Sequence, residues 1–311
     1  MKGNFYLDGQ DAYSLYRVSA RDDGYKELAA YPPLKPVESN DWAEEDGEEF
    51  DLSHPVLDSH EISVRFAYHG EYARFGAFIE QLSDRAYHYF SFTEMGRKTY
   101  RLRLVSQPDL SQIGTLGNFS LRLADDFPLS GYSYLAPQST LAVLQRGYKL
   151  DGRDLSEYGV SVLRGSEAEI AKSPAVKKNL LMNFNSQSGA IYDDEWVAFQ
   201  TKEVKLNCLM RANSLSEFWR NHDALLFDLI RPGERMLQID SRGCSYPCYY
   251  KSCNAAHFEP DGKIWFEFSL VLAFTSFRVD EEEFLLASED AILVRTEQED
   301  FAINMSIYYG N

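Results

Sequence analysis

The clearest pattern in the chain is a strict alternation of apolar and polar residues, which occurs in two places. The apolar members are Ile62, Val64, Phe66 and Tyr68 in the first run and Val204, Leu206, Cys208 and Met210 in the second. Successive side chains of a β-strand point to opposite faces. Each run therefore predicts a strand with one buried face and one wetter face.

A helical pattern follows each of these strands. Apolar residues recur there at intervals of three and four positions, namely Tyr72, Phe75, Ile79 and Leu82, and later Leu215, Phe218, His222 and Leu225. This spacing predicts one amphipathic helix after each strand. Ser214, with Glu217 three residues later, has the spacing of a capping box, so we expect the second helix to begin just after Ser214.

Hairpins are predicted on both sides of these elements. Asp8-Gly9 and Asp151-Gly152 are Asp-Gly turns, and short strands follow them in YRVS and YGVSVL. After the helices, we predict hairpins in YHYFSF-TEMGRK-TYRLRLVS, with its turn at Gly96, and in LLFDLI-RPGE-RMLQID, with its turn at Pro232-Gly233. Two polar stretches, PPLKPVESNDWAEEDGEEFD and NFNSQSGAIYDDEW, predict long loops.

The same elements occur twice in the same order. YLDGQD recurs as KLDGRD, with its leucine moving from Leu7 to Leu150, and the strand FSLRLA at Phe119 recurs as FSLVLA at Phe268. These offsets are 143 and 149 residues. A nearly constant offset over ordered matches predicts a tandem duplication with a few residues inserted late in the second copy. We expect one domain in residues 1–140 and its duplicate in residues 141–279.

The predicted fold class is mainly β, with one packed helix in each domain. Tandem β-sandwich or split-barrel domains fit this content. Residues 280–311 read as a C-terminal β arm, with strand candidates at 292–294 and 303–307, that pairs with something else. Arg122 of the first final strand corresponds to Val271 of the second, so that face is more apolar in the second copy. Either the C-terminal arm or a neighbouring subunit would cover it.

Composition limits the partners of this chain. Its 311 residues are 44% hydrophobic and 25% charged, which is ordinary for a soluble globular protein. A net charge of −17 argues against binding to a phosphate backbone. The longest apolar run, FSLVLAF, is too short to span a membrane, and the first residues lack the apolar segment of a secretory signal. We therefore expect neither nucleic acid nor membrane as a partner.

The cysteines raise the question of a metal site. Cys244, Cys248 and Cys253 fall within ten residues, and His257 is the imidazole near them. Zinc sites usually have two separated pairs of ligands, which this segment does not provide. A three-cysteine, one-histidine site stays open, but we favour free thiols, as we do for Cys208.

No catalytic, cofactor-binding or metal-binding residue is predicted. The six histidines form no zinc-binding motif, and His222 lies on a helical apolar stripe, which is typical of a core histidine. The acidic run EEDGEEFD, residues 44–51, lacks the alternating ligands of a calcium loop and reads as a solvated loop, as does DDEW at 193–196. A hydrolase with these loops at its site would need carboxylates that converge and have shifted pKa values. We expect no enzyme and no cofactor.

Tyrosine is abundant, with 20 residues, and clusters in AYHYFSF, SGYSYL, SYPCYY and SIYY. Exposed tyrosines are favoured both in protein interfaces and in platforms that stack on sugars. The tyrosines therefore leave two hypotheses open: an assembly protein, and a tandem carbohydrate-binding β-sandwich module. The second hypothesis predicts clustered exposed aromatics, a secretion signal and a monomer.

The repeat resembles the distal-tail and baseplate-hub proteins of tailed bacteriophages. The resemblance is carried by YKLDGRDLSEYGVSVL at 148–163 and by YLDGQDAYSLYRVS at 6–19, which are similar to the family's opening LDGxDxxxYGV element. The long loop, alternating strand, helix, hairpin and Phe-Ser-Leu strand follow in the family's order. A typical distal-tail protein has one such domain and a different C-terminal domain, whereas two are predicted here.

The resemblance implies a structural role in a phage or prophage tail, without catalysis. Domains of this family form rings around a channel, so three two-domain chains would place six similar domains in one ring. The expected partners are the chain itself, as a trimer or hexamer ring, and other tail proteins. The expected location is the cytoplasm during assembly and then the virion.

Overall fold

The computed structural model describes residues 3–21, 24–96, 98–106, 110–141, 147–178, 181–186, 188–192, 197–241 and 243–275. The predicted C-terminal arm at 280–311 and the DDEW segment at 193–196 lie outside these residues. Within them, no helix is both long and apolar enough to cross a membrane.

The first half of the chain forms one antiparallel sheet with a helix packed on it. Its strands are β1 (Phe5–Leu7), β2 (Gln10–Asp11), β3 (Val18–Ala20), β4 (Ser39–Asn40), β5 (Glu49–Phe50), β6 (His60–His69), β7 (Tyr87–Phe92), β8 (Thr99–Ser106), β9 (Leu110–Ile113) and β10 (Leu116–Asp125). Its helices are α1 (Ala12–Tyr16), a 3-10 helix (Lys26–Ala29) and α2 (Tyr72–Ser83). The strands β4 and β5 pair with each other as a separate hairpin.

The second half has corresponding elements. Its strands are β11 (Tyr148–Leu150), β12 (Arg153–Asp154), β13 (Val160–Val162), β14 (Leu181–Met182), β15 (Ile191–Tyr192), β16 (Lys202–Ala212), β17 (Arg235–Ile239), β18 (Cys244–Glu259) and β19 (Ile264–Phe274). Its helices are a 3-10 helix (Leu155–Tyr158), α3 (Ser166–Ala171) and α4 (Leu215–Leu229). The strands β14 and β15 also form a separate hairpin.

The two sheets have the same strand order. The first runs β2-β1-β7-β8-β10-β6-β3, with β9 paired to β10, and the second runs β12-β11-β17-β18-β19-β16-β13. The long central pairs, β6 with β10 and β16 with β19, are antiparallel over their whole length. A mainly β fold with one helix packed in each half is therefore confirmed.

The alternation that predicted the long strands is the alternation of their burial. The residues Ile62, Val64, Phe66 and Tyr68 of β6 are all buried, as are Val204, Leu206, Cys208 and Met210 of β16. Helix α2 covers the apolar face of the first sheet, with Phe75 against Phe119. Helix α4 covers that of the second, with Phe218 against Phe266. Most of the hydrophobic burial is therefore between one helix and one sheet in each half.

Both predicted Asp-Gly turns are confirmed, and each has the geometry of a two-residue hairpin. The φ angles are 50° and 79° at Asp8 and Gly9, and 50° and 82° at Asp151 and Gly152. Positive φ at both positions matches the right-handed twist of the flanking strands. A basic group on the neighbouring strand holds each aspartate, His88 Nδ1 at 2.8 Å in the first half and Arg235 at 2.7 Å in the second.

Two details of the helices can be compared with the prediction. Ser214 caps α4 as expected, its hydroxyl accepting the Glu217 N–H. In α2, however, Tyr72 is exposed and Phe78 is buried in its place. Positions 75, 78 and 82 follow one another at helical intervals of three and four, so Phe78 shares the face of Phe75.

The hairpin predicted in LLFDLI-RPGE-RMLQID was assigned the wrong pair of strands. LLFDLI does not form a strand, because it is the last part of α4, and Pro232-Gly233 joins that helix to β17. The hairpin consists of RMLQI, residues 235–239, and the long strand β18, with turn residues at 240, 241 and 243. Leu225, Leu226 and Leu229 continue the apolar stripe of α4 and are buried. An apolar run of six residues fits a helix or a strand equally well.

The face that carries Val271 is covered in part by residues of the chain itself. Helix α3 packs on β16, where the Ser166 hydroxyl accepts the Asn207 N–H at 2.9 Å. Leu209 and Ser269 are buried on this side of the sheet. The sequence prediction offered the C-terminal arm or a neighbouring subunit as the cover and did not consider α3.

Candidate functional site

One segment of the first half lies on the second half. We call residues 30–58, which connect the first 3-10 helix to β6, the first strap. Its hydrogen bonds to the second half include Leu34 N–H to the Lys251 carbonyl (2.9 Å), the Tyr250 hydroxyl to the Pro32 carbonyl (2.9 Å) and Gly233 N–H to the Leu52 carbonyl (2.7 Å). The sequence predicted a polar loop in this segment. In the structure, the strap binds to a defined surface of the second half.

The length of β18 explains where the strap binds. The preceding strand, β17, pairs only with Cys244–Cys248 of the 16-residue β18. Beyond Cys248, the edge of β18 extends past its partner, and the register shifts between Tyr250 and Ser252. An unpaired strand edge presents backbone groups that need partners. The strap supplies one at Leu34.

Tyr31 anchors the strap in the core of the second half. Its side chain is 1% exposed, and its hydroxyl donates to the His222 carbonyl of α4 at 3.1 Å. The ring lies 4.3 Å from the His222 ring and 5.9 Å from that of Phe268, measured between ring centroids. Tyr31 is thus held between α4 and the second sheet, where aromatic contacts add to the burial of its ring.

A buried lysine of the second half holds the acidic loop of the strap. The Lys177 ammonium is 2% exposed and donates to Asp41 Oδ1 (2.6 Å), the Trp42 carbonyl (2.8 Å) and the Gly47 carbonyl (2.6 Å). A buried charge requires such partners. The Gly47 N–H also donates to the Phe199 carbonyl at 2.8 Å. The prediction of a solvated loop is therefore wrong for Gly47 of EEDGEEFD, which is buried. Glu44 and Glu45 of the same run are exposed.

A cavity of about 420 Å³ lies between the two halves, beside the Tyr31 anchor. His60, Lys98 and Tyr100 line it from the first half, and His222 and Asp223 from α4. His222 Nε2 donates to the Ala29 carbonyl at 2.8 Å, and Nδ1 lies 2.9 Å from Asp223 Oδ1. Each ring nitrogen of His222 therefore has an oxygen atom as its partner. The predicted core position of His222 is confirmed.

Asp223 links this histidine to the first half. Lys98 donates to both carboxylate oxygens, at 3.2 and 3.3 Å, and its ammonium lies 3.9 Å from the centre of the Trp219 ring. Burial alone would raise the pKa of Asp223, but the His222 hydrogen bond and the Lys98 charge hold it below its usual value. The result is a chain of polar contacts, Lys98–Asp223–His222, that crosses between the halves.

Acidification should destabilise the protein through His60. Burial first, and the charge of His222 second, lower the pKa of His60 from 6.5 to about 4. The unfolded chain then binds a proton between pH 6.5 and pH 4 that the folded chain does not, so stability falls as the pH decreases through this window. We expect the free energy of unfolding, measured by urea denaturation at each pH, to lose up to about 3 kcal/mol in this window.

The variant His60→Gln isolates this contribution. Lys98, Arg101, Asp125, His222 and Asp223 face the same cavity, and all remain in the variant. The variant should therefore lose less stability than the wild type between pH 6.5 and pH 4, while both lose stability below pH 4 as carboxylates are protonated. Parallel curves for the two proteins would show that His60 does not contribute.

The cysteine-rich segment forms part of a strand. Cys244, Cys248 and Cys253 all lie along β18, and Cys248 and Cys253 are buried. Burial raises the pKa of each of these two thiols to about 12, so they are protonated at neutral pH. In the part of the chain that the structure describes, no three His, Cys, Asp or Glu side chains are placed to hold a metal ion.

The tyrosine clusters differ in their burial, and Tyr89 of AYHYFSF is 52% exposed. Tyr246, Tyr249 and Tyr250 of SYPCYY are buried, and Tyr132 and Tyr134 of SGYSYL pack against the Phe227 ring. SIYY lies outside the described residues. A side chain that is buried in the protein has no free face on which a sugar could stack. The buried tyrosines of SYPCYY therefore form no platform for a sugar.

This chain is similar to a solved structure from a tailed phage. No protein-family profile matches the sequence, and no curated protein matches it. The crystal structure of the phage SPP1 Dit (gp 19.1) protein matches with a TM-score of 0.30 and 12% identity, over 87% of this chain and 97% of that chain. Its title describes that protein as a paradigm of the hub adsorption apparatus in phages that infect Gram-positive bacteria.

Sequence reasoning missed an exposed apolar surface on the segment that joins α3 to β16. Its exposed apolar residues are Val176, Leu181, Met182, Phe184, Ile191 and Val197. The separate hairpin of β14 and β15 carries Leu181, Met182 and Ile191. Only residues 183–196 of this segment, NFNSQSGAIYDDEW, were predicted as a polar loop, because Asn, Ser and Asp are frequent there. Clustered exposed apolar side chains of this kind indicate an interaction surface.

Proposed function

We propose that this protein is a structural component of a phage or prophage tail or baseplate, of the distal-tail or hub-like type. It acts by assembling with itself, as a trimer or hexamer ring, and with other tail proteins, and it performs no catalysis. It is made in the cytoplasm and then becomes part of the virion. The residues that carry the family resemblance form the Asp-Gly turns, β11 and β13 of the second half and their counterparts in the first.

The observation that supports this proposal best is the repeated strand order within one chain. Both sheets have the same order, and the strap of the first half lies on the sheet of the second. We infer that residues 1–140 and 141–279 are duplicated domains, followed by a C-terminal arm at 280–311. A domain that binds its own duplicate side by side has the geometry that a ring of such domains requires.

The alternatives have less support. A pair of carbohydrate-binding modules would need exposed aromatic platforms, and the tyrosines of SYPCYY are buried. A hydrolase would need converging carboxylates, whereas the acidic loop contributes Asp41 and Asp46 to contacts with Lys177 and Phe199. These two carboxylates help to hold the strap in place.

The mass of the protein in solution tests the proposal. We expect light scattering over a concentration series to give a mass of three or six chains at high protein concentration. The net charge of −17 opposes association at low ionic strength, so the series should be repeated at physiological salt, where repulsion is screened.

A strict monomer at every concentration and salt level would contradict self-assembly. The carbohydrate-binding alternative would then be tested on a glycan array with the same preparation. A large, polydisperse mass that grows without limit would indicate open association in place of a closed ring.

A further inference from the structure

The second half contains a counterpart of the first strap. We call residues 172–200, as far as the structure describes them (172–178, 181–186, 188–192 and 197–200), the second strap. The bridge between Leu34 and Leu57 recurs between Val176 and Phe199, and the β4–β5 hairpin recurs as β14–β15. Each of these features is displaced by 142 residues, the offset between β6 and β16.

Two backbone hydrogen bonds inside the first strap recur in the second. Lys35 N–H to the Val56 carbonyl (2.8 Å) matches Lys177 N–H to the Ala198 carbonyl (2.7 Å). Asp58 N–H to the Pro33 carbonyl (2.8 Å) matches Gln200 N–H to the Ala175 carbonyl (2.7 Å). The straps thus have the same local structure, although their side chains differ.

The straps differ in what covers them. Leu34 of the first strap is 9% exposed, because it lies on β18, whereas Val176 at the same position is 41% exposed. Where the first hairpin has the polar residues Ser39, Asn40 and Glu49, the second has the exposed apolar residues Leu181, Met182 and Ile191. The second strap is therefore the more apolar of the two and the less buried.

The first half carries the surface that would receive a strap. In the second half, the strap bonds to Lys251, which lies one residue before Ser252 at a register shift of β18. In the first half, the register between β8 and β10 shifts at the corresponding position, between the pairs Leu123–Leu104 and Arg122–Ser106. Val105 is thus the counterpart of Lys251. It lies beyond Arg103, where the pairing with β7 ends, and its side chain is exposed.

We propose that the second strap of one molecule lies on the first half of a second copy, with Val176 against Val105. This contact would repeat, between chains, the contact that the first strap makes within the chain. It rests on the proposed self-assembly and names the surfaces that perform it. Because it joins two different surfaces, it is a head-to-tail contact, which closes into a ring when the rotation permits.

The contact between chains should be weaker than the one within the chain. The residue 142 positions after Tyr31 is Ser173 in the second strap. The residue 142 positions after Asp41, which binds Lys177, is Asn183. The second strap therefore lacks both the buried aromatic ring and the carboxylate that hold the first one. Association is expected to be reversible and to depend on concentration.

Disulfide trapping tests this geometry. In the double variant Val105→Cys/Val176→Cys, mild oxidation should give covalent multimers on a non-reducing gel, in a series that ends at the ring size. Each single variant should give no such series, which controls for the four native cysteines. The variant Leu34→Cys/Lys251→Cys is the matched control, because it places the same pair within the chain and should form a disulfide without any increase in mass.

A second measurement does not depend on disulfide geometry. The variant Met182→Glu/Ile191→Glu should raise the dissociation constant of the oligomer at least tenfold, whereas Ile113→Glu, an exposed apolar position on β9, should not change it. If the wild type assembles but the double cysteine variant yields no multimers and the glutamates have no effect, this inference fails and self-assembly stands. If the wild type is monomeric at all concentrations, both fail.

Discussion

The variant Tyr31→Ala is expected to lower the free energy of unfolding by about 3–5 kcal/mol, the usual cost of truncating a buried aromatic side chain to alanine. Tyr31 is 1% exposed and lies between α4 and the second sheet, although it belongs to the first strap. Removing its ring leaves a cavity against His222 and Phe268 that neither element can close easily. Urea unfolding followed by far-UV circular dichroism measures the loss.

The variant Tyr31→Phe separates the ring from the hydroxyl. It keeps the ring contacts and removes only the hydrogen bond to the His222 carbonyl, so we expect a loss of about 0.5–1.5 kcal/mol. Trp219, whose ring centroid lies 5.1 Å from that of His222, should report the Ala change by its fluorescence. Equal stability of the wild type and the Ala variant would show that the strap does not need its anchor.

The prediction about Tyr31 also describes how the halves are coupled. Each half has its own helix packed on its own sheet, and the strap adds a contact between them. Loss of the anchor should therefore release the strap first, before either sheet unfolds. Limited proteolysis of Tyr31→Ala is expected to cut within residues 35–52 at lower protease concentration than in the wild type.

The features that sequence could predict are those that depend on neighbouring residues in the chain. The alternation in β6 and β16, the Asp-Gly turns and the Ser214 cap were all correct, because strand pleating, turn torsion angles and helix capping are local properties. The duplicated order of elements follows from comparing such local patterns at a constant offset.

The features that sequence missed depend on distant residues. Whether LLFDLI is helix or strand is decided by what Leu225 and Leu229 pack against, which their own spacing does not reveal. Lys177 reads as an ordinary surface lysine until the first strap surrounds it. The signal for the second strap in the sequence is its constant displacement of 142 residues from the first. A comparison of the two polar loops by composition alone does not reveal this displacement.

Asp228→Leu should be the other strongly destabilising change. This carboxylate of α4 is 4% exposed and accepts hydrogen bonds from the hydroxyls of Tyr158 (2.5 Å) and Tyr134 (3.1 Å). It also forms an ion pair with Arg231 and lies 3.6 Å from Arg153. The substitution leaves the buried Tyr158 hydroxyl and two partly exposed arginines without this carboxylate, and the expected loss in urea unfolding is about 3 kcal/mol.

The isosteric variant Asp228→Asn tests which part of this loss is due to charge. It keeps one acceptor oxygen for the tyrosine hydroxyls and removes the charge that faces Arg231, so we expect a loss of about 1–2 kcal/mol. Burial first, and the Asp228 hydrogen bond second, raise the pKa of Tyr158, so its hydroxyl is a donor at neutral pH. A double-mutant cycle with Tyr158→Phe should give a coupling energy of at least about 0.5 kcal/mol. Additive losses would mean that Asp228 stabilises α4 without acting through Tyr158, and the network would then reduce to its ion pairs.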